Sequence, residues 1–211
     1  MPFRFTLVAD GTSDRALVPL IEWVLQRAPR VADAGFAVEF TVGEGASRQL
    51  DGLAGKIDAA RRAFPFDLLF VHRDAEREHA TRRRTEIAEA VATLGLELHV
   101  PVVPVRMTEA WLLIDESALR MAADNPNGRV AIAMPALRKL EDLPDPKAVC
   151  NELLVTASEK QGRRRKQFGT PAELAWRRAR IARLIEDFSP LLRLPAFAEF
   201  HELTHQCCAR L

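Results

Sequence analysis

Carboxylates follow three of the apolar, strand-like segments of this sequence, where they could hold a metal ion or move a proton. Asp10 comes after the first segment, Asp74 and Glu76 come after the third, and Glu109 comes after the fourth. Carboxylates gathered in one place repel each other unless a cation neutralises them, and Mg²⁺ prefers oxygen ligands. The four acids therefore predict a magnesium or manganese site for phosphoryl transfer or phosphodiester hydrolysis. Asp10, Asp74 and Glu109 are its candidate catalytic residues, because a carboxylate left off the metal could act as general acid or base.

A simpler role is available to several polar residues near these positions. Asp14 and Glu78 lie close to predicted helix starts, where carboxylates commonly cap the helix or interact with its dipole. For these two residues we favour the capping interpretation. His72 and His79 flank the second acidic segment and could contact a phosphate or a metal, although a lone histidine is more often structural.

The segments that must position these acids alternate between strand and helix periodicity. Apolar stretches predict strands over 3–9, 36–42, 67–72 and 98–105, and stripes at helical spacing predict helices between them. A β-α-β-α-β-α-β order indicates a mainly parallel four-stranded sheet flanked by helices, in an α/β fold. Functional groups gather at the carboxyl ends of such strands. Pro101 and Pro104 put the fourth strand near a sheet edge.

The second half of the chain changes character. We predict an α/β core over residues 1–115 and an all-helical C-terminal extension over 116–211 that packs on the core. Within the extension, the patterns indicate helices over about 146–160, 171–188 and 195–210, with a basic loop at 161–169.

Several short motifs resemble those of the toprim-like superfamily, found in topoisomerases, primases and the overcoming-lysogenisation-defect nucleases. The stretch "ADGTSDRAL" at 9–17 resembles the first motif of that superfamily, and "HRDAE" at 72–76 resembles the second. More narrowly, the chain is similar to a bacterial family of that superfamily, distantly related to the overcoming-lysogenisation-defect nucleases. That similarity is carried by "EAWLL" at 109–113, "DPK" at 145–147, "RRRK" at 163–166 and residues 181–200.

The resemblance implies a metal-dependent nuclease with a toprim-like sheet. Asp10 would be the acid/base or metal group, Asp74 and Glu76 would be metal ligands, and Glu109 would be a further ligand. Relatives of this kind often occur in bacterial phage-defence or DNA-processing operons with an ATPase partner. The sequence has Asp10 where glutamate is usual and Glu76 where aspartate is usual. These departures support an alternative, a catalytically degenerate module that binds nucleic acid or a partner protein.

Two arginine-rich stretches could contact nucleic acid. The candidates lie at the start of the third helix and in the predicted basic loop, and they are Arg82, Arg83, Arg84, Arg163, Arg164, Arg165 and Lys166. Clustered arginines grip phosphates bidentately, and such contacts supply most non-specific affinity for nucleic acids. The alternative is a solvated helix face paired with neighbouring acids. No aromatic residues interleave with these runs, so the sequence does not predict a base-stacking platform.

A competing motif, "HELTH" at 201–205, matches the H-E-x-x-H pattern of zinc peptidases. His201 and His205 would share one face of a helix, with Glu202 as general base. Only six residues follow His205, which leaves no downstream acid or histidine to complete the site. We therefore keep a zinc metallopeptidase as a minor alternative.

Composition narrows the remaining possibilities. The chain has 211 residues, of which 48% are hydrophobic and 28% charged, and its net charge is +1. This near balance excludes a chain that binds nucleic acid through its overall charge. We find no leader and no apolar run long enough for a membrane span, and three cysteines do not suggest a disulfide framework. We therefore expect a cytoplasmic protein that does not interact with membranes.

Overall fold

A parallel sheet organises the first half of the chain. The computed structural model describes residues 3–28, 36–41, 52–75 and 79–211. The strands are β1 (Phe3–Val8), β2 (Phe36–Thr41), β3 (Leu68–His72) and β4 (His99–Val102), in the spatial order β2-β1-β3-β4. All of the pairings are parallel, with Phe5 opposite Leu68 and Leu69 opposite His99. The predicted mixed α/β class, with a parallel sheet flanked by helices, is confirmed, and β4 lies at an edge.

The strand order creates a switch point beside β1. The connection from β1 leads to β2 on one side, and the next connection crosses β1 to reach β3 on the other side. Successive crossovers that leave in opposite directions open a crevice outside the carboxyl ends of the two central strands. The ends of β1 and β3, which precede Asp10 and Asp74, therefore border the same crevice.

Two hydrophobic cores cover the two faces of the sheet. Leu68 and Phe70 of β3 belong to one core, and the alternate residues Leu69 and Val71 belong to the other. All of these residues are fully buried. The run "LLFV" is thus continuously apolar because both of its faces are covered, even though successive side chains point in opposite directions.

Helices from both halves of the chain cover the sheet. Helix α1 (Leu17–Leu25) packs on one face, and α2 (Gly52–Ala63) and α3 (Ala80–Thr93) contribute to the core on the other face. The later helices are α4 (Glu116–Ala122), α5 (Pro146–Ala157), α6 (Gly162–Phe168), α7 (Pro171–Leu184) and α8 (Pro195–Arg210). Short 3-10 helices occupy Thr12–Ala16, Thr108–Leu112, Leu137–Asp142 and Ser189–Arg193. None of the described helices is long and apolar enough to cross a membrane.

The later helices share the α1 core instead of forming one of their own. Phe200 of α8 lies 6.2 Å from Phe70 of β3, measured between ring centroids. The Trp111 ring contacts Phe197 at 5.2 Å, and all four of these aromatic side chains are buried. Since aromatic pairs at these distances contribute beyond their buried area, the sheet and the later helices stabilise each other.

Two sequence predictions in this half are wrong in detail. Residues 162–168 form helix α6, not a basic loop. Arginine, lysine and glutamine favour helices, and the buried Phe168 side chain packs this helix against the core. Helix α7 ends at Leu184, before the predicted residue 188, since Ile185 is extended and buries its side chain.

Candidate functional site at the carboxyl ends of the central strands

The turn after β1 is shaped by Asp14. Its Oδ2 atom accepts hydrogen bonds from the backbone N–H groups of Asp10 (3.1 Å) and Gly11 (2.9 Å). Asp14 is only 7% exposed, so these two donors supply much of the compensation for its burial. This is the capping role predicted for Asp14, and it fixes the backbone from which the Asp10 side chain leaves.

A buried histidine at the end of β3 faces two carboxylates. His72 Nδ1 lies 2.9 Å from the Val102 carbonyl oxygen, and a carbonyl can only accept, so Nδ1 carries a hydrogen. His72 Nε2 lies 3.4 Å from Asp74 Oδ1 and 3.8 Å from Asp14 Oδ1. Burial lowers the pKa of His72, but the two carboxylates and the carbonyl raise it by more, so its pKa lies above the ordinary value. The geometry therefore favours a charged imidazolium.

Asp74 lies beyond the end of β3, on backbone that continues the pairing with β4. The Arg73 N–H donates to Val102 O at 3.2 Å, and the Ala75 N–H donates to Pro104 O at 3.4 Å. The side chain of Asp74 is 29% exposed, and its buried Oδ1 atom accepts no well-formed hydrogen bond from the described residues, although His72 Nε2 lies 3.4 Å away at ion-pair distance. A long ion pair of this kind compensates the buried oxygen incompletely, so the position is suited to a ligand or a cation.

Asp10 pairs with cations instead of joining the other acids. Arg73 Nη1 lies 2.6 Å from Asp10 Oδ1, and Lys56 Nζ lies 3.4 Å from the same oxygen. The other end of the Arg73 guanidinium contacts Glu86 at 3.1 Å. The side chain of Asp10 remains 42% exposed, which makes it more accessible than Asp74 and Glu109.

Glu109 is held in a buried ion pair. It lies on the 3-10 helix Thr108–Leu112, which Trp111 anchors in the core. Glu109 Oε1 lies 3.0 Å from Arg178 Nε, and the two side chains are 11% and 7% exposed. Burial raises the pKa of Glu109, and although Arg178 lowers it in part, the net direction is upward. Glu109 therefore holds a proton more readily than an exposed glutamate does.

The predicted residues converge in part. Asp14 and Glu109 both line a small cavity of about 10 Å³, a volume close to the limit for one water molecule. The Asp74 charge also raises the pKa of Glu109. Asp10 lies at the same rim on the Arg73 side, and Glu76 and Glu78 lie outside the described residues. Within residues 3–28, 36–41, 52–75 and 79–211, no group of three or more His, Cys, Asp or Glu residues could hold a metal ion.

The two basic stretches differ in how their charges are compensated. Arg84 pairs with Glu199, and Arg83 pairs with Glu86 at 3.0 Å and donates to the Asp74 carbonyl oxygen at 3.2 Å. Arg82 also has interaction partners. The α6 cations are exposed and form no ion pair with another described residue, and they are Arg163, Arg164, Arg165 and Lys166. The 82–84 stretch thus resembles a paired helix face, and α6 presents uncompensated charge.

The HELTH motif does lie on a helix, α8, with the His201 and His205 rings 4.1 Å apart. Glu202, the candidate general base, accepts a hydrogen bond from Gln206 at 2.9 Å. A catalytic zinc site needs three protein ligands, and the part of the chain that the structure describes supplies no third one at this position. Cys207 is directed elsewhere, and its thiol donates to the His99 carbonyl at 3.5 Å.

Sequence analysis missed the arginines of this site. Arg73 and Arg178 both contact predicted acidic residues, yet neither stood out as a partner in the sequence. Position 73 directly precedes the Asp74 motif, which is a signal that could have drawn attention to it. Arg178 belongs to a run of arginines on α7, and nothing in that run indicates which one faces Glu109. Comparisons of the chain with protein-family models, curated proteins and solved structures gave no match.

Proposed function

We propose that this chain has a toprim-like α/β fold and hydrolyses phosphodiester bonds of nucleic acid at the carboxyl ends of β1 and β3, in a magnesium- or manganese-dependent reaction. One observation carries the proposal. Asp74 lies beside the strand switch point with 29% of its side chain exposed, and its buried Oδ1 atom accepts no well-formed hydrogen bond, only a long ion pair with His72 at 3.4 Å among the described residues. Crevices of this kind are the usual place for ligands in open α/β sheets.

The donor chemistry at this rim fits a hard divalent cation. Carboxylate oxygens are its preferred protein ligands, and Asp74 offers a partly exposed carboxylate whose ion pair with His72 is long, at 3.4 Å. Asp10 would be the second ligand, after it releases Arg73 and Lys56. A bound ion would polarise the phosphate and lower the pKa of an attacking water.

The remaining groups have separate roles in this proposal. Arg73 and Lys56, which contact Asp10 in the structure, would bind the phosphate once they separate from that carboxylate, since arginine suits bidentate phosphate contacts. Asp10, whose side chain is 42% exposed, would be the acid or base of the reaction where it does not hold the ion. Glu109, whose pKa burial raises, would serve as a proton donor close to Asp74.

A cleavage assay with a matched control tests this proposal. Wild-type protein, Asp74→Asn and Asp67→Asn are incubated with single- and double-stranded DNA and RNA, with Mg²⁺, with Mn²⁺ or with a chelator. Asp67 lies immediately before the opposite end of β3, where it accepts a hydrogen bond from the Arg4 N–H at 2.8 Å. We expect metal-dependent cleavage that Asp74→Asn abolishes and Asp67→Asn retains. Equal cleavage by wild type and Asp74→Asn would refute the proposed site.

A second candidate function is a degenerate module that binds nucleic acid or a partner protein, such as an ATPase, without catalysis. Two ion pairs favour it, because Asp10–Arg73 and Glu109–Arg178 neutralise two of the candidate acids without a metal. The same assay separates the two candidates. Binding of labelled nucleic acid without cleavage under any metal condition would support the module and would exclude the nuclease.

A further inference from the structure

A cavity of about 350 Å³ lies between α6 and α7, away from the carboxylate rim. This volume falls within the range of sites for small organic ligands. Its lining combines cationic side chains with an aromatic ring and only one acid, and the residues are Lys160, Arg164, Gln167, Phe168, Glu173 and Arg177. Cationic side chains outnumber acids three to one in this lining, so the cavity is suited to an anion.

The charges of the cavity are only partly compensated. Arg177 is buried and neutralised, since its guanidinium lies 2.5 Å from Glu173 and 2.8 Å from Asp124. Lys160 and Arg164 form no ion pair with another residue in the described part of the chain. These two cations can therefore contact an incoming anion without first breaking an existing ion pair.

Aromatic rings adjoin two of the cationic side chains that line the cavity, Lys160 and Arg177. The Arg177 guanidinium carbon lies 4.1 Å from the centre of the Phe168 ring and 5.4 Å from the centre of the Trp176 ring. Lys160 Nζ lies 4.9 Å from the centre of the Phe168 ring. Trp176 is 56% exposed, which is unusual for so large an apolar side chain. An exposed tryptophan beside cations can stack on a nucleobase.

We infer that the α6–α7 cavity binds the phosphate backbone of single-stranded nucleic acid, with Lys160 and Arg164 contacting phosphates and Trp176 stacking on a base. The choice of nucleic acid rests in part on the proposed function. It is supported by Arg163, Arg165 and Lys166, which extend the uncompensated charge around α6 beyond the cavity. A free phosphate would use only the cavity, and an acidic peptide would not need a stacking surface. In a duplex the bases are unavailable for stacking.

Intrinsic fluorescence offers a direct readout of this site. The chain has three tryptophans, and Trp23 and Trp111 are at most 5% exposed, so Trp176 is the one that a bound strand can quench. The probe is a short oligothymidylate, titrated in the presence of a chelator so that cleavage does not contribute. Inorganic phosphate and polyglutamate serve as competitors. A labelled copy of the oligonucleotide provides anisotropy measurements for variants that lack Trp176.

We expect the oligonucleotide to quench fluorescence and Arg164→Glu to weaken its binding about tenfold, with a shallower salt dependence. Arg193→Glu makes the same charge change on an exposed residue of the Ser189–Arg193 helix and should retain wild-type affinity. Trp176→Ala should lose about fivefold or more, and Trp176→Phe should retain most of the affinity. Circular dichroism checks that each variant is folded.

Four results would overturn the inference. Three of them are no quenching, equal weakening by Arg164→Glu and Arg193→Glu, and displacement of the oligonucleotide by polyglutamate as efficiently as by unlabelled strand. Displacement by millimolar inorganic phosphate would instead assign the cavity to small anions and would also count against a strand. Because the titration excludes divalent cations, its failure leaves the cleavage proposal untouched. A failed cleavage assay likewise leaves this binding experiment informative.

Discussion

Removing Arg178 should destabilise the protein in a strongly pH-dependent way. Arg178→Met leaves the Glu109 carboxylate buried without its ion-pair partner, and it also removes the hydrogen bond from Arg178 Nη1 to Asn151 at 2.7 Å. Breaking a buried ion pair by removing one partner costs about 3–5 kcal/mol. We therefore expect the free energy of unfolding to fall by roughly 3 kcal/mol at about pH 8, the alkaline end of the series, where an unpaired buried carboxylate costs most.

The sign of the pH dependence follows from Glu109. Burial already raises its pKa above the ordinary value of 4.5 with Arg178 present, and loss of the guanidinium raises the pKa further. A carboxyl group that binds its proton more tightly in the folded state loses stability as pH rises above its unfolded pKa. The deficit of Arg178→Met relative to wild type should thus be small near pH 4.5, should grow between the folded pKa of Glu109 in wild type and its higher folded pKa in the variant, and should level off above that.

Chemical denaturation of four variants over a pH series measures this effect. The variants are Arg178→Met, Glu109→Gln, the double mutant, and Arg183→Met as an exposed control on the same helix. The neutral amide needs no counter-charge, so the double mutant should regain about 2 kcal/mol over Arg178→Met at about pH 8. The control should stay within about 0.5 kcal/mol of wild type. A deficit that is independent of pH, or that Glu109→Gln does not relieve, would refute the buried-pair argument.

Three further predictions concern packing and local structure. The Cys150 thiol is fully buried, and burial raises its pKa to about 12. An aromatic disulfide reagent should therefore modify it only as fast as the protein unfolds. Absorbance kinetics in increasing denaturant measure this rate. Gly128→Ala should cost about 1 kcal/mol, measured by denaturation, because an added Cβ would lie 2.6 Å from the Asn125 side-chain nitrogen, which would have to move from its hydrogen bond with the Ala157 carbonyl. Asp145→Ala should lower the melting temperature through a loss of about 1 kcal/mol, since Asp145 Oδ1 caps α5 by accepting from the Ala148 N–H at 2.8 Å; an unchanged melting temperature would contradict the cap.

The sheet was predictable from the sequence because its strands carry a local signal. A fully buried strand such as β3 must be continuously apolar, and the two prolines near β4 fit only an edge. The ends of the later helices were less predictable. Helix α7 ends before Ile185, which is extended and buries its side chain in the core. Helix α6 was predicted as a loop because its sequence is almost entirely charged or polar. Phe168, whose side chain is buried, is the apolar residue of this segment that packs in the core.

The acidic positions of the candidate site could be predicted, but their electrostatic partners could not. Strand ends locate Asp74 and Asp10 near one rim through topology alone. Arg73 contacts both Asp10 and Glu86, and these contacts depend on the side-chain rotamers at the rim. The pairing of Arg178 with Glu109 depends on how α7 packs against a distant segment. Such long-range contacts determine which carboxylates remain available, and no local pattern encodes them.

Helix α7 carries two adjacent arginines into two different environments. Successive residues of an α-helix project about 100° apart, and here Arg177 borders the α6–α7 cavity while Arg178 holds Glu109. Both arginines are adjacent residues of the same helix, so a rotation or translation of α7 would displace both of them together. If the cavity binds a strand as we infer, that strand and the Glu109 ion pair would both depend on the position of one helix, α7.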